Sequence, residues 1–230
     1  MTALTPPSAV PARGLALVLM GLWCAGCGGP PPVLAPPQAG VEAVAGLASA
    51  SVQGEEMALQ GKFAFVFRRP GFGRVDVPGP FGATVYSLLF ETDSGYLVVP
   101  SRKIYAAERS DELMNRFLGF GLRPSEVIDL LSGVWPEAGT GSLWSLRRDA
   151  GGRVSHGEKG GFLFDVTEFF PGAGVPRSLT FSAVGTAGRI NVLSLRFNPA
   201  PRPEAFDTGF LERFRRGSWE EIRNILKDEN

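Results

Sequence analysis

The sequence predicts a mainly β domain with inserted helices, an α+β arrangement on an antiparallel sheet of roughly seven to nine strands. Three observations lead there. Apolar residues alternate with period two in segment after segment from Lys62 to Phe197, separated by Gly- and Pro-rich turns. Between Ser110 and Gly133 the period changes to that of a helix. The two helical stripes found there are too short to be stable alone, so they must pack on the sheet.

Lys62 to Arg68 puts Phe63, Phe65 and Phe67 on one face, and Arg69-Pro70-Gly71 ends that strand. Gly73 to Val77 is a second strand with Val75 and Val77 on one side. Pro78-Gly79-Pro80-Phe81-Gly82 is a loop by composition. Ala83 to Glu91 sets Thr84, Tyr86, Leu88 and Phe90 against Val85 and Leu89. Asp93-Ser94-Gly95 is turn chemistry, after which Tyr96 to Val99 pairs back and Lys103-Ile104-Tyr105 continues the meander.

Ser110 is placed to cap a helix whose first turn holds Asp111 and Glu112, where negative charge suits the helix dipole. Leu113, Met114, Phe117 and Leu118 form its apolar stripe, and Gly119 to Gly121 interrupts it. A second helix opens at Pro124 or Ser125, carries Val127, Ile128, Leu130 and Leu131, and closes at Gly133. Strands resume over Leu143–Arg148, Gly161–Phe169, Arg177–Val184 and Arg189–Phe197. A Pro-rich spacer, Asn198 to Pro203, leads to a last helix over Ser218–Lys227, with Trp219, Ile222, Ile225 and Leu226 apolar. Arg213, Arg215 and Arg216 are matched by Glu212, Glu220 and Glu221, which predicts a solvated or partner-facing helix.

The N-terminus has the layout of a secretory signal: Arg13, then about ten mostly apolar residues, then small residues before Cys27. The apolar run falls short of the roughly 20 residues that a membrane-spanning helix needs. Ala25-Gly26-Cys27 resembles the bacterial lipobox, although Cys24 stands where leucine is usual. That resemblance implies cleavage after residue 26 and covalent diacylglycerol and palmitate on Cys27. The same residues also fit an unlipidated secreted protein with a Cys24–Cys27 disulfide, or an uncleaved anchor. Gly28, not aspartate, follows the cysteine, which suits outer-membrane sorting by the enteric rule. From Gly28 to Gly40 the Gly, Pro and Ala composition is that of a tether.

Composition narrows the function. Basic and acidic residues balance at 23 each, which gives no basis for a nucleic-acid partner. Seventeen phenylalanines stand beside a single histidine. Such a chain suits a binder of apolar groups better than an acid–base catalyst. His156 lies in a polar, Gly-rich hairpin, with no second histidine or cysteine cluster to complete a zinc site. Gly157-Glu-Lys-Gly-Gly161 lacks phosphate-loop spacing, and no Gly-x-Ser-x-Gly elbow occurs. No catalytic residue, metal or cofactor beyond the lipid on Cys27 is expected.

Gly73-Arg-Val-Asp-Val-Pro-Gly-Pro-Phe-Gly-Ala-Thr-Val85, followed by Phe117-Leu-Gly-Phe-Gly-Leu-Arg-Pro-Ser-Glu-Val-Ile-Asp-Leu-Leu-Ser-Gly133, resembles the LolA/LolB lipoprotein-localisation family, its LolB-like lipoproteins most of all. The resemblance covers roughly residues 45–197. It implies an open half-barrel of antiparallel strands with a helical lid over an acyl-binding cavity. It also implies a loop with an exposed hydrophobic residue for membrane insertion, here Pro80, Phe81 and Gly82. Phe63, Phe65, Phe67, Val75, Val77, Leu113, Phe117, Ile128 and Leu131 are the cavity candidates, and the same alternation serves equally for a packed core.

The implied organisation is a signal over 1–26, a lipidated tether over 27–40, the half-barrel over 41–197, and a spacer with a helix over 198–230. The implied function is a non-enzymatic outer-membrane lipoprotein, monomeric and lipid-anchored on the periplasmic face. It would bind lipoprotein or lipid acyl chains and receive cargo from a LolA-type periplasmic carrier. The competing reading is a structural or assembly lipoprotein that uses the same fold to hold a protein complex.

Overall fold

The computed structural model describes residues 34–54, 58–80, 82–136, 143–200 and 202–228. Within them, Ala43–Gly54 (β1), Ala58–Arg68 (β2), Phe72–Pro78 (β3), Thr84–Glu91 (β4), Ser94–Val99 (β5) and Ile104–Arg109 (β6) form an antiparallel meander. Helices Ser110–Leu118 (α1) and Pro124–Ser132 (α2) follow. A second meander comprises Ser145–Arg148 (β7), Val154–Lys159 (β8), Phe162–Phe169 (β9), Pro176–Ala183 (β10) and Thr186–Phe197 (β11). Its last strand returns to pair with β1, from Val44 opposite Phe197 to Gly54 opposite Thr186. Arg215–Arg216 (β12) pairs in parallel with β6, and Trp219–Asp228 (α3) ends the chain.

The result is one sheet of twelve strands in the order β12-β6-β5-β4-β3-β2-β1-β11-β10-β9-β8-β7. The end strands do not pair, so the sheet is open. Inward side chains from β4–β6 and from β8–β10 belong to one apolar cluster together with α1 and α2. Both halves of the sheet therefore curl around the two helices, which gives the expected open half-barrel with helices across its inner face. Chain order explains the placement, since α1 and α2 are the crossover from the β6 side to the opposite edge at β7.

Twelve strands exceed the seven to nine expected, because β1, β8 and β12 are not recognisable as separate strands in the sequence. β1 reads Ala-Val-Ala-Gly-Leu-Ala-Ser-Ala-Ser-Val-Gln-Gly, with no large alternating residue to mark it. Yet it is the central strand, and Val44, Ala48 and Val52 are buried beneath the lid. Small side chains are what let helices approach a sheet closely.

Ser110 does not cap α1, as expected, but is its first residue. Its hydroxyl instead donates to the carbonyls of Thr92 (3.1 Å) and Ser94 (2.9 Å), fastening the helix start to the β4–β5 turn. α2 opens at Pro124 after Arg123, where Glu126 Oε2 accepts the Arg123 backbone N–H at 3.0 Å. It ends at Gly133, whose φ of +71° is the left-handed geometry glycine tolerates.

The C-terminal residues depart most from expectation. Instead of standing in solvent, they wrap the β6 edge. Phe206 lies against Phe72, with ring centroids 5.7 Å apart. Leu211 joins Leu89 and Val98 in a small second core on the outer face, flanked by Tyr96, Tyr105, Phe210 and Phe214. β12 then covers β6, and α3 buries Trp219, Ile222 and Leu226 in the main core. Ser218 does accept the Glu221 N–H at 3.2 Å, as a cap should. Residue 197 is therefore no packing boundary, and the described residues on both sides of it cluster as one compact unit. The end of the expected tether also belongs to it, for Leu34 packs on the core and Asn198 Nδ2 donates to the Gly40 carbonyl at 3.0 Å.

Candidate functional site: an apolar cavity under the helices

β2 builds the first wall. Alternate residues on a strand lie on one face, so Phe63, Phe65 and Phe67 stack along it with centroids 6.2 Å apart at each step. Phe90 of β4 continues the row, 6.4 Å from Phe67. Between them, Gly73 of β3 sits opposite Phe67, and a Cβ there would lie 2.6 Å from the Phe67 ring. Glycine is required so that the ring can lie flat across the neighbouring strand.

These residues bound a cavity of about 100 Å³ between the sheet and the helices. Val75 and Val77 come from β3, Phe117 from α1, and Val127, Leu130 and Leu131 from α2. The far wall is Phe162, Leu179, Phe181 and Ile190, from β9, β10 and β11. Seven of the nine expected residues therefore do line it. Leu113 and Ile128 do not, because they face the crowded contact between helix and sheet and are packed core at 1% and 0% exposure. The far-wall residues carry the same period-two alternation as Phe63, Phe65 and Phe67. That signal made them inward-facing without showing that they face the same space.

Every lining side chain is apolar except Tyr86. Burial pushes the Tyr86 hydroxyl well above its usual range, so it stays neutral. Apart from that hydroxyl, the walls offer no partner to an ion, a head group or water, and apolar cavities of this size stay dry. At about 24 cal/mol per Å³ such a void costs roughly 2 kcal/mol of stability.

Among the described residues, three ion pairs tie the lid helices down. Arg69 pairs with Asp129 of α2. At the other end Lys159 pairs with Glu126, which also accepts the Trp144 indole N–H at 3.2 Å. On α1, Arg116 Nε meets Glu108 of β6 at 2.7 Å.

A larger opening, about 900 Å³, lies on the outer face between β1–β3 and the 199–206 segment. Arg68, Arg74, Asp76, Arg196, Arg202 and Glu204 line it together with Leu47, Val66, Phe206 and several alanines, so it is an open groove of mixed chemistry, unlike the uniformly apolar inner cavity. His156 Nδ1 lies 2.8 Å from Asp165 Oδ1 across β8 and β9, and that aspartate is 59% exposed. Among the described residues, no cluster of His, Cys, Asp or Glu is arranged to hold a metal. Nor is any helix long and apolar enough to cross a membrane.

Cys27 and Phe81 lie outside the described residues. Pro80 and Gly82, the neighbours of Phe81 in the β3–β4 loop, are exposed. The loop is closed by the Gly79 N–H bonding the Ala83 carbonyl at 2.8 Å.

No family model matches the chain, and no curated protein matches it in sequence. Solved structures are similar to it in the course of the chain, three of which follow. A DUF1329 family protein from Desulfovibrio piger has a TM-score of 0.49 and 12% identity, over 74% of this chain and 92% of that one. A LolA superfamily protein from Nitrosomonas europaea has a TM-score of 0.46 and 7% identity, over 74% and 91%. A putative outer membrane lipoprotein-sorting protein domain from Vibrio parahaemolyticus has a TM-score of 0.43 and 13% identity, over 75% and 92%.

Proposed function

We propose that this chain is a non-enzymatic, LolB-like lipoprotein that binds acyl chains and receives or inserts lipoproteins at the periplasmic face of the bacterial outer membrane. Cys27 carries the lipid anchor, and Phe81 is the loop residue that enters the bilayer or acyl cluster. The observation behind this reading is the dry, uncharged cavity under a helical lid. An acyl chain offers only dispersion and hydrophobic contact, and the walls offer nothing else in return. A void retained at a cost of roughly 2 kcal/mol makes sense where a ligand recovers that energy.

A second reading, a structural or assembly lipoprotein on the same fold, is favoured by the cavity's size. About 100 Å³ is below the roughly 300 Å³ at which ligand pockets begin, so the lid must move before a chain can enter.

The test uses the chain from Gly28 onward, which contains the whole compact unit. It is offered a lipidated protein held by a LolA-type carrier, with Phe81→Glu run in parallel. Uptake by the parent, with normal uptake but failed membrane delivery by the variant, supports transfer and gives the loop its role. A folded parent that takes up no cargo leaves the assembly reading.

A further inference from the structure

Beside the mouth of the half-barrel lies a second space of about 240 Å³, bounded by the α1–α2 loop, the Lys159–Gly161 turn and the start of the β10–β11 turn. Phe120, Leu122 and Phe162 belong to its wall and also to the wall of the inner cavity. The two spaces thus meet at a wall to which these three side chains contribute. Resting on the acyl-binding reading above, we infer that Phe120 is the gate through which an acyl chain enters, and that the outer space is its vestibule.

Three features make Phe120 the movable part of that wall. Phe162 is buried within β9 and Leu122 is buried at 3% exposure, whereas Phe120 is half-buried in a loop. Its ring lies on Phe162, with centroids 3.5 Å apart, and meets Phe181 edge-on at 5.6 Å. It is thus held by side-chain packing, its two ring contacts foremost, without a regular backbone ladder. Its neighbours are Gly119 and Gly121, and Gly119 has a φ of +73°. Gly119 closes α1, its N–H donating to the Asn115 carbonyl at 2.7 Å, so the swing falls to the loop after it, where Gly121 gives the backbone freedom to turn the ring outward.

The sizes agree with a gate. The inner cavity by itself is smaller than the ~150 Å³ void that holds one benzene. Joined, the two spaces of about 100 and 240 Å³ reach the ordinary range of ligand pockets, which starts near 300 Å³. Polarity changes in the right direction as well. The inner wall is apolar, while the vestibule adds Asn115, Lys159 and the bare Gly160-Gly161 turn. A chain threaded past Phe120 would leave its polar end among these groups, in contact with water.

The experiment is stopped-flow binding of cis-parinaric acid, a fluorescent fatty acid, to the chain from Gly28 onward. Phe120→Leu, Phe120→Trp and Val75→Ala are compared with the parent, each checked for its thermal transition. Loss of the ring contacts in Phe120→Leu should speed both association and dissociation by about tenfold, the rate equivalent of one aromatic pair. Phe120→Trp should slow both. Val75→Ala enlarges the inner cavity from β3, without removing either ring contact of Phe120, and should change the dissociation constant without that paired change in rates. If the parent binds the probe and neither Phe120 variant alters the rates, the gate is overturned while the acyl reading stands. If no folded variant binds it at all, both fall together.

Discussion

Arg69, just beyond the end of β2, and Asp129, in the middle of α2, form an ion pair that ties the lid to the sheet. Arg69 is itself anchored, for its Nε donates to the Val41 carbonyl at 3.0 Å. The Asp129 side chain is only 8% exposed, and its carboxyl is pushed above its ordinary value. Burial is the first cause of that rise. Arg69 opposes it without overcoming it, and the nearby Glu126 adds a smaller push upward.

The sign of the pH dependence follows. A carboxyl whose folded pKa lies above its unfolded value stabilises the fold fully below the unfolded pKa, here 3.8. That contribution is lost as pH rises through the folded value. Asp129→Asn should therefore destabilise more near about pH 3 than near about pH 7, read as the gap between urea unfolding midpoints of parent and variant. A gap that widens toward neutrality would mean that the Arg69 pairing, not burial, dominates.

The wrapped C-terminus gives a second expectation. Trp219 is 4% exposed and meets Phe117 edge-on, with ring centroids 5.7 Å apart. Trp219→Ala should cost about 3 kcal/mol, the usual loss for emptying a buried aromatic site. A helix merely attached at the surface would lose under about 0.5 kcal/mol in the same denaturant titration.

Gly73 offers a sharper test of the phenylalanine row. Gly73→Ala places a methyl group 2.6 Å from Phe67, at a position also 3.1 Å from Phe90. Both rings are buried and must shift toward the cavity they border to make room, so a cost of about 1–3 kcal/mol is expected. Combining it with Phe67→Leu should cost less than the sum of the two single changes, because the smaller side chain frees the space the methyl needs. Strict additivity would show that the glycine is there for some other reason.

Most of this architecture is legible in the residues because it rests on periodicity. Phe63, Phe65 and Phe67 mark a strand, and Val127, Ile128, Leu130 and Leu131 mark a helix, whatever lies opposite them. β1 is hidden because a central strand under close-packed helices needs small side chains, and Ala48 and Ala50 carry no alternation strong enough to see. α3 misleads because its charges are conspicuous while its buried residues are only three, Trp219, Ile222 and Leu226. Nor can periodicity tell a wall from a core. Leu113 and Phe117 share one stripe, yet only Phe117 borders empty space. That difference comes from how two surfaces meet, which no single segment encodes.

The last prediction separates binding inside the barrel from binding on its surface. Ala48 lies on the central strand, is 1% exposed and borders the cavity. Ala48→Leu directs a branched side chain into a void of about 100 Å³ whose emptiness costs roughly 2 kcal/mol. Filling it should hold or raise the melting temperature, since the added carbons meet apolar walls on several sides. Acyl uptake should fall at least about tenfold, because the chain would have to displace a well-packed side chain instead of entering empty space. A stable variant that still takes up cargo at the parent's affinity would place the ligand outside the cavity. It would then favour the assembly reading, in which the fold serves as a scaffold and its outer surface makes the contacts.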